Sequence, residues 1–269
     1  MTPKRFRDIV LAQYETHGRH DLPWRKTRDP YHILVSEVML QQTQVDRVIP
    51  FYTAFLTEFP TIEALAKASL SRVLVRWQGL GYNRRAKMLS DAAKAVMREH
   101  GGRLPRTVAE LETLPGIGPY TARAIAAFAH NEDVVFVETN LRTAVIHHFF
   151  PEGENVQDKD ILLILEKAFP KGDARRWYSA LMDYGARLKR SGIRLNQRSS
   201  AYTKQAAFTG SGREVRGAIL RALAEKPRTD AHLSFLLGPE RKEQVRLQLE
   251  KLVSEGLIEK TRSTYRLPH

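Results

Sequence analysis

Cysteine is absent from all 269 residues. That absence excludes disulfides, thiolate zinc sites and any cysteine-ligated iron–sulfur cluster. No apolar run approaches the ~20 residues a membrane span needs, and no signal-type leader opens the chain. The expectation is a cytoplasmic protein without membrane partners. Acidic residues are in deficit, with 30 Asp and Glu against 43 Lys and Arg, a net charge of +13. A surplus of that size calls for a polyanion, and with no membrane segment nucleic acid is favoured over an acidic membrane surface. Up to Gly185 there is no alternating strand pattern of useful length and no solenoid repeat. Apolar residues instead recur at helical spacing, as in Val48, Tyr52 and Phe55 or Met88, Ala92 and Val96, so the main domain is predicted to be all-α.

What is present begins with Leu114-Pro115-Gly116-Ile117-Gly118-Pro119-Tyr120-Thr121-Ala122. Thr107 to Thr113 reads as a short helix, with Thr107 as N-cap and Glu110 completing a capping box. Tyr120 to His130 is Ala-rich and apolar, and Pro119 stands where a first helical turn tolerates it. Two helices joined by this glycine-bearing turn make a helix-hairpin-helix. Its backbone N–H groups and positive helix end offer a seat for a phosphate. A carboxylate follows in Val137-Glu138-Thr139-Asn140, where it can approach a bound sugar.

A second carboxylate lies upstream, in Ser36-Glu37-Val38-Met39-Leu40-Gln41-Gln42-Thr43-Gln44-Val45. A Glu in an apolar helical run is desolvated, so it can hold a proton near neutral pH and act as a general acid. Gln41 and Gln42 are neutral amides suited to base edges or to a gap in a base stack. Two carboxylates can divide the breaking of an N-glycosidic bond. One protonates the leaving base, and the other supports the cationic sugar and aligns water or attacks.

The character changes from Arg187 to Arg213, a stretch with seven basic residues and no acidic one. It reads either as a solvated linker or as a phosphate-contacting strap. Beyond it, Glu214 to Ala224, Asp230 to Leu237 and Pro239 to Glu255 are predicted helices, and Ile258 to Leu267 a small hairpin. Three helices and a β-ribbon describe a winged helix, a module that faces DNA or protein; Arg241, Lys242, Arg246, Lys260, Arg262 and Arg266 favour DNA.

These residues resemble the helix-hairpin-helix (HhH-GPD) DNA glycosylases, and within them the MutY-type adenine glycosylases that act on A·G and A·8-oxoguanine mispairs. The resemblance covers roughly Arg19 to Ala186. It rests on L-P-W-R (Leu22–Arg25), D-P-Y (Asp29–Tyr31), the ten-residue Glu37 motif, G-L-G-Y (Gly79–Tyr82), the hairpin, and M-D-Y-G-A (Met182–Ala186). It implies a two-lobed helical domain over residues 1–190, joined by a basic linker (191–212) to a small α+β winged-helix domain (213–269). It implies Glu37 as the acid that protonates adenine N7, with Glu138, Tyr120 and Asn140 completing the catalytic group. Trp24 and Arg25 match residues near the flipped base. Gln42 and Tyr82 match a pair that enters the duplex, Tyr82 as wedge. Gln41, Gly116, Gly118 and Thr121 belong with the DNA contacts, and an alkali cation often assists at the Leu114–Gly118 backbone. Relatives of the endonuclease III type carry a Lys where this chain has Tyr120, so no Schiff base and no amine-driven strand cleavage are expected.

Three departures from that pattern stand out. The family's catalytic Asp, in V-D-G-N, is Glu138 here. The four cluster cysteines are missing, with Lys189 near the position of the first, so no cofactor is expected. A winged helix replaces the domain that recognises 8-oxoguanine. The function expected is a monofunctional, cluster-free adenine glycosylase of base excision repair. It acts as a monomer on double-stranded DNA at the nucleoid. The alternatives are a thymine or uracil mismatch glycosylase on the same scaffold, and a catalytically retired DNA-binding protein.

Overall fold

The computed structural model describes residues 1–204 and 207–269. In chain order the helices are α1 (Pro3–His17), α2 (Pro30–Leu40), α3 (Val45–Glu58), α4 (Ile62–Lys67), α5 (Leu70–Trp77), α6 (Arg84–Glu99) and α7 (Val108–Leu111). They continue as α8 (Pro119–His130), α9 (Thr139–Phe149), α10 (Asp158–Ala168), α11 (Ala174–Arg190), α12 (Gly212–Glu225), α13 (Asp230–Leu237) and α14 (Lys242–Ser254). Three short strands, β1 (Arg228–Thr229), β2 (Glu259–Thr261) and β3 (Thr264–Arg266), form one antiparallel sheet of order β1-β3-β2. Among the described residues no helix is long and apolar enough to cross a membrane.

Local chemistry sets the helix boundaries. Thr2, Thr61 and Ser69 cap α1, α4 and α5, each side-chain oxygen accepting from a backbone N–H three residues on. Thr107 caps α7 by accepting from Glu110 N–H, and its hydroxyl donates to Glu110 Oε2 at 2.6 Å. The helix it opens is only four residues long, shorter than the expected Thr107 to Thr113. Pro119 occupies the first turn of α8, and Asn131 closes it in the left-handed conformation at φ 57°.

The chain forms two compact units. The first comprises Met1–Glu37, Arg106–Glu112 and Ile117–Lys204. Its core includes Phe6, Val10, Leu141, Val145, Ile161, Leu165, Trp177 and Leu181, all fully buried. The basic stretch is folded here over its first half. Asn196 Oδ1 accepts from Thr143 Oγ1 at 3.1 Å, and Val156 N–H donates to the Arg198 carbonyl at 2.8 Å. Residues 205 and 206 of the expected basic linker lie outside the described residues.

The second unit comprises Val38–Pro105, Thr113–Gly116 and Gln205–His269. Val48, Phe55, Leu65, Val73, Trp77 and Leu89 form the centre of its helical part. Helices α12 to α14 and the three strands are a winged helix with its own core, including Val215, Ile219, Leu233, Val245, Leu252 and Leu257. β1 was not foreseen, because two residues are too short for any periodicity to register. The Pro268 carbonyl accepts from Ser71 N–H at 3.2 Å, which ties the chain end to α5.

Candidate active site

Glu37 is buried, with 5 % of its surface exposed, near the end of an α2 whose Ile33, Leu34 and Val35 are buried as well. The Tyr120 hydroxyl, from the first turn of α8, donates to Glu37 Oε2 at 2.9 Å. Burial raises the Glu37 carboxyl to about 7. The Tyr120 hydrogen bond opposes that rise, the Glu138 charge adds to it and Arg25 opposes it. Burial among these groups keeps the Tyr120 phenol well above its ordinary value, so it stays a donor. With Oε2 engaged by Tyr120, a proton favoured by burial is best placed on Oε1.

Glu138 opens α9 as its N-cap. Its Oε1 accepts from Asn140 N–H at 2.6 Å and from Leu141 N–H at 3.0 Å, while Asn140 Nδ2 lies 3.3 Å from Oε2. The longer side chain is therefore folded back onto its own helix. An anion at this end is favoured by the helix dipole. Burial nevertheless raises the carboxyl above its ordinary range, against Lys189, the two backbone donors and Arg142.

Glu37, Tyr120, Glu138 and Asn140 thus lie near one another within the first unit. Trp24 is buried in a short 3-10 turn. Arg25, beside it, is committed to Asp183 through Nη1 at 2.5 Å and Nη2 at 2.9 Å, and to the Ser179 carbonyl. Asp183 also takes Arg19 Nε at 2.6 Å. Its carboxyl is held below its ordinary value by these guanidinium partners in spite of burial. Arg25 is therefore part of a clamp on α11 while its charge still acts on Glu37. Nothing local to Met182–Ala186 in the sequence points to this role for Asp183.

Gly185, in the same motif, has a plainer purpose. A Cβ there would fall 2.1 Å from the Asn140 carbonyl oxygen, so only glycine lets α11 approach the first turn of α9. Gly185→Ala is expected to destabilise the fold by roughly 1–3 kcal/mol. Because the displaced turn carries Glu138, base release should slow by more than that loss of folded protein explains. Thermal unfolding together with active-site titration separates the two effects.

In the second unit, Gln42 and Tyr82 share an unusual backbone, at φ 55° and 48°. Non-glycine residues in this region store strain, which clusters at functional sites. Buried Arg85 holds both turns. Its guanidinium donates to the Val38, Met39 and Gln41 carbonyls at 2.6–2.9 Å, and to Gly81 O and Thr43 Oγ1 at 3.2 Å. Burial lowers its pKa only to about 10, so it stays charged. Arg213, from the winged helix, donates to the Tyr82 hydroxyl at 2.7 Å and lies over the ring at 5.5 Å. Neither arginine was foreseen as a partner of Tyr82.

At the hairpin, Gly116 adopts φ 74°, and a Cβ there would meet Met88 at 2.4 Å. Gly118 is not left-handed, but the space above it is open. Thr121 is buried, so its side chain does not face solvent. Of the seven basic residues in the Arg187–Arg213 stretch, four are employed internally. Arg187 donates to Gln13, Lys189 to Asn140, Arg198 to the Pro151 carbonyl and Arg213 to Tyr82. Arg190, Arg194 and Lys204 are exposed.

Residues 35–171 match the family described as HhH-GPD superfamily base excision DNA repair protein. An adenine DNA glycosylase of Mycolicibacterium smegmatis is 37 % identical over 276 aligned residues, covering 94 % of this chain and 92 % of that protein. One from Mycobacterium tuberculosis is 35 % identical over 96 % of this chain and 92 % of its own length. Among solved structures, a thermostable thymine-DNA glycosylase superposes with a TM-score of 0.62 at 32 % identity, over 68 % of this chain and 86 % of that one. A buried acid, a second carboxylate at a helix start, a glycine hairpin and these similarities lead to one assignment: the chain belongs to the HhH-GPD superfamily of base excision DNA repair proteins, among the adenine DNA glycosylases.

Proposed function

We propose that this protein is a monofunctional DNA glycosylase that flips a mispaired adenine, opposite G or 8-oxoguanine, out of the duplex and hydrolyses its N-glycosidic bond. One observation carries the reading: two desolvated carboxylates of unequal surroundings in one site, Glu37 on a single phenol donor and Glu138 on two backbone N–H groups and an amide. Glu37 delivers its proton to the leaving base. Glu138, as the anion, supports the cationic sugar and aligns water or attacks, with Asn140 orienting it. Trp24 lines the base pocket with Arg25 behind it. Gln41, Gln42, Tyr82, Gly116, Gly118 and the Thr121 backbone contact the DNA, Tyr82 filling the gap in the stack.

Residues 1–190 act as the glycosylase body, 191–212 as a basic connection and 213–269 as a DNA-holding module, in a monomer at the nucleoid. The chain holds no cysteine, so the thiolates of an iron–sulfur cluster have no counterpart and no step runs through one. An alkali cation at the hairpin would be held by backbone carbonyls of Leu114 to Gly118, which suits the open space at Gly118. It would help fix the DNA backbone. Among the described residues no group of three or more His, Cys, Asp or Glu side chains could hold a metal. Strand cleavage by an amine is not expected. Tyr120 is no amine, and the Lys189 ammonium is engaged at 2.9 Å by Asn140.

The test is a set of duplexes carrying A·8-oxoguanine, A·G, T·G, U·G and hypoxanthine·T, scored for abasic sites after mild alkali. The A-containing mispairs should be processed fastest. Preference for T·G would favour thymine release instead, the reading that Tyr120 and the similarity to a thymine-DNA glycosylase support.

Base release should also depend on pH in a defined direction. The active form keeps a proton on Glu37 and none on Glu138, so kcat/KM falls as pH rises through about 7, where Glu37 loses its proton. Protonation of Glu138 sets the acid limb. A rate still rising between pH 7 and 9 would contradict this assignment.

The exposed cations should add affinity without selectivity, because neutralised phosphates release counterions whatever the sequence. Replacing Arg190, Arg194 and Lys204 together by Gln should flatten the slope of log affinity against log salt by about 2–3 units. The ranking of mispairs should stay the same. Lost discrimination between G and 8-oxoguanine partners with an unchanged slope would assign this segment to base recognition.

A further inference from the structure

Asn140 is gripped from two sides. Its Nδ2 faces Glu138 Oε2 at 3.3 Å, and its Oδ1 accepts from Lys189 Nζ at 2.9 Å. An amide between a carboxylate and an ammonium has only one favourable orientation, NH2 toward the anion and oxygen toward the cation. Lys189 lies in the last turn of α11, one turn beyond Gly185, whose missing side chain brings this helix against the Asn140 backbone.

The charged and titratable groups facing Glu138 come from four helices. They are Glu37 of α2, Tyr120 of α8, Arg142 of α9 itself and Lys189 of α11. Arg142 is paired with Asp158 of α10 through two hydrogen bonds of 2.8 and 2.6 Å, which largely neutralise it. Lys189 makes its hydrogen bond to a neutral amide, so its charge remains available to Glu138. It is the largest influence holding that carboxyl down against burial. Burial depresses Lys189 in turn and Glu138 opposes that, as expected of two groups that support each other's charge.

We propose that Lys189 is a positioning residue of the base-release reaction: through Asn140 it aims the Glu138 carboxylate, and its charge keeps that carboxylate the anion of the pair while Glu37 keeps the proton. The inference rests on the glycosylase reading above and deepens it. Two desolvated carboxylates sharing one site hold one proton between them. Lys189 adds to the inequality that the donors already create, because its Nζ is hydrogen-bonded to the amide that faces Glu138.

The test uses full-length Lys189→Met and Lys189→Gln, which remove the charge, and Lys189→Arg, which keeps it. In protein labelled with 13C at glutamate Cδ, the Glu138 signal is identified by its loss in Glu138→Gln. Its titration midpoint should rise by about one unit or more in the uncharged variants and return toward the parent value in Lys189→Arg. On the acid limb, below both midpoints, single-turnover base release should slow about tenfold in the uncharged variants for each unit by which the midpoint rises. Their acid limb should move to higher pH, so the deficit narrows as pH is raised. An unmoved Glu138 midpoint, with rates lowered equally at every pH, would overturn the proposal and leave Lys189 a structural residue. If the parent itself releases no base from any duplex, the glycosylase reading fails, and the Glu138 midpoint still decides the role of Lys189.

Discussion

Glu37→Gln is expected to abolish base release, slowing the single-turnover rate by about 10³- to 10⁴-fold, while duplex binding stays within a few-fold of the parent. Gln keeps the shape of Glu37 and still offers an oxygen to the Tyr120 hydroxyl, 2.9 Å away in the parent. What it lacks is a proton to give to the leaving base. The same substitution should not destabilise the protein. The folded state holds the Glu37 proton up to about pH 7, whereas the unfolded chain releases it near 4.5. This group's contribution to stability is therefore complete below about 4.5 and lost as pH rises through about 7. A neutral amide removes that loss, so Glu37→Gln should flatten the decline of the thermal midpoint across this window. Excision by the variant within a few-fold of the parent would remove Glu37 from the role of acid.

Glu138→Gln should lose about 10²- to 10³-fold in base release, because the charge that stabilises the cationic sugar is gone while the side chain keeps its place. Glu138→Asp is the more informative partner. Asp is a natural N-cap and can accept from the Asn140 and Leu141 N–H groups now bound to Glu138. The carboxylate then moves by about 1 Å, a displacement that costs up to about 100-fold. The Asp variant should therefore stay active within about two orders of magnitude of the parent and fold at least as well. Full activity in Gln with complete loss in Asp would contradict the electrostatic role given to Glu138.

The parts of this site visible in the sequence are those whose chemistry is local. Glu37 announces itself by the apolar helix around it, and the hairpin by its glycines and Pro119. Glu138 could be named from its neighbours, yet the way it folds back onto α9 depends on the backbone donors of Asn140 and Leu141 and had no sequence signature. Contacts across long separations were invisible for a simple reason. Asp183 lies 158 residues from Arg25, and nothing in either segment specifies the other. The same holds for Arg213 on Tyr82, 131 residues apart. Lys189 looked like one more cation in a basic stretch, because charge composition records how many cations there are and not which of them the fold takes inside. The winged helix was legible as three amphipathic helices and a hairpin, whereas β1 exists only because β3 offers it an edge.

In the proposed reaction Glu37 and Glu138 together release an intact base by hydrolysis, with no amine taking part. The most direct measurement follows both products of one turnover on a duplex with adenine opposite 8-oxoguanine. Free base is weighed by mass spectrometry, and the DNA strand is examined with and without borohydride, which traps any Schiff base. Free adenine in equal amount to abasic sites, an unbroken strand before alkali and no trapped protein–DNA adduct are expected. A borohydride-trapped adduct, or an intact adenine strand after prolonged incubation with excess protein, would contradict the proposed reaction.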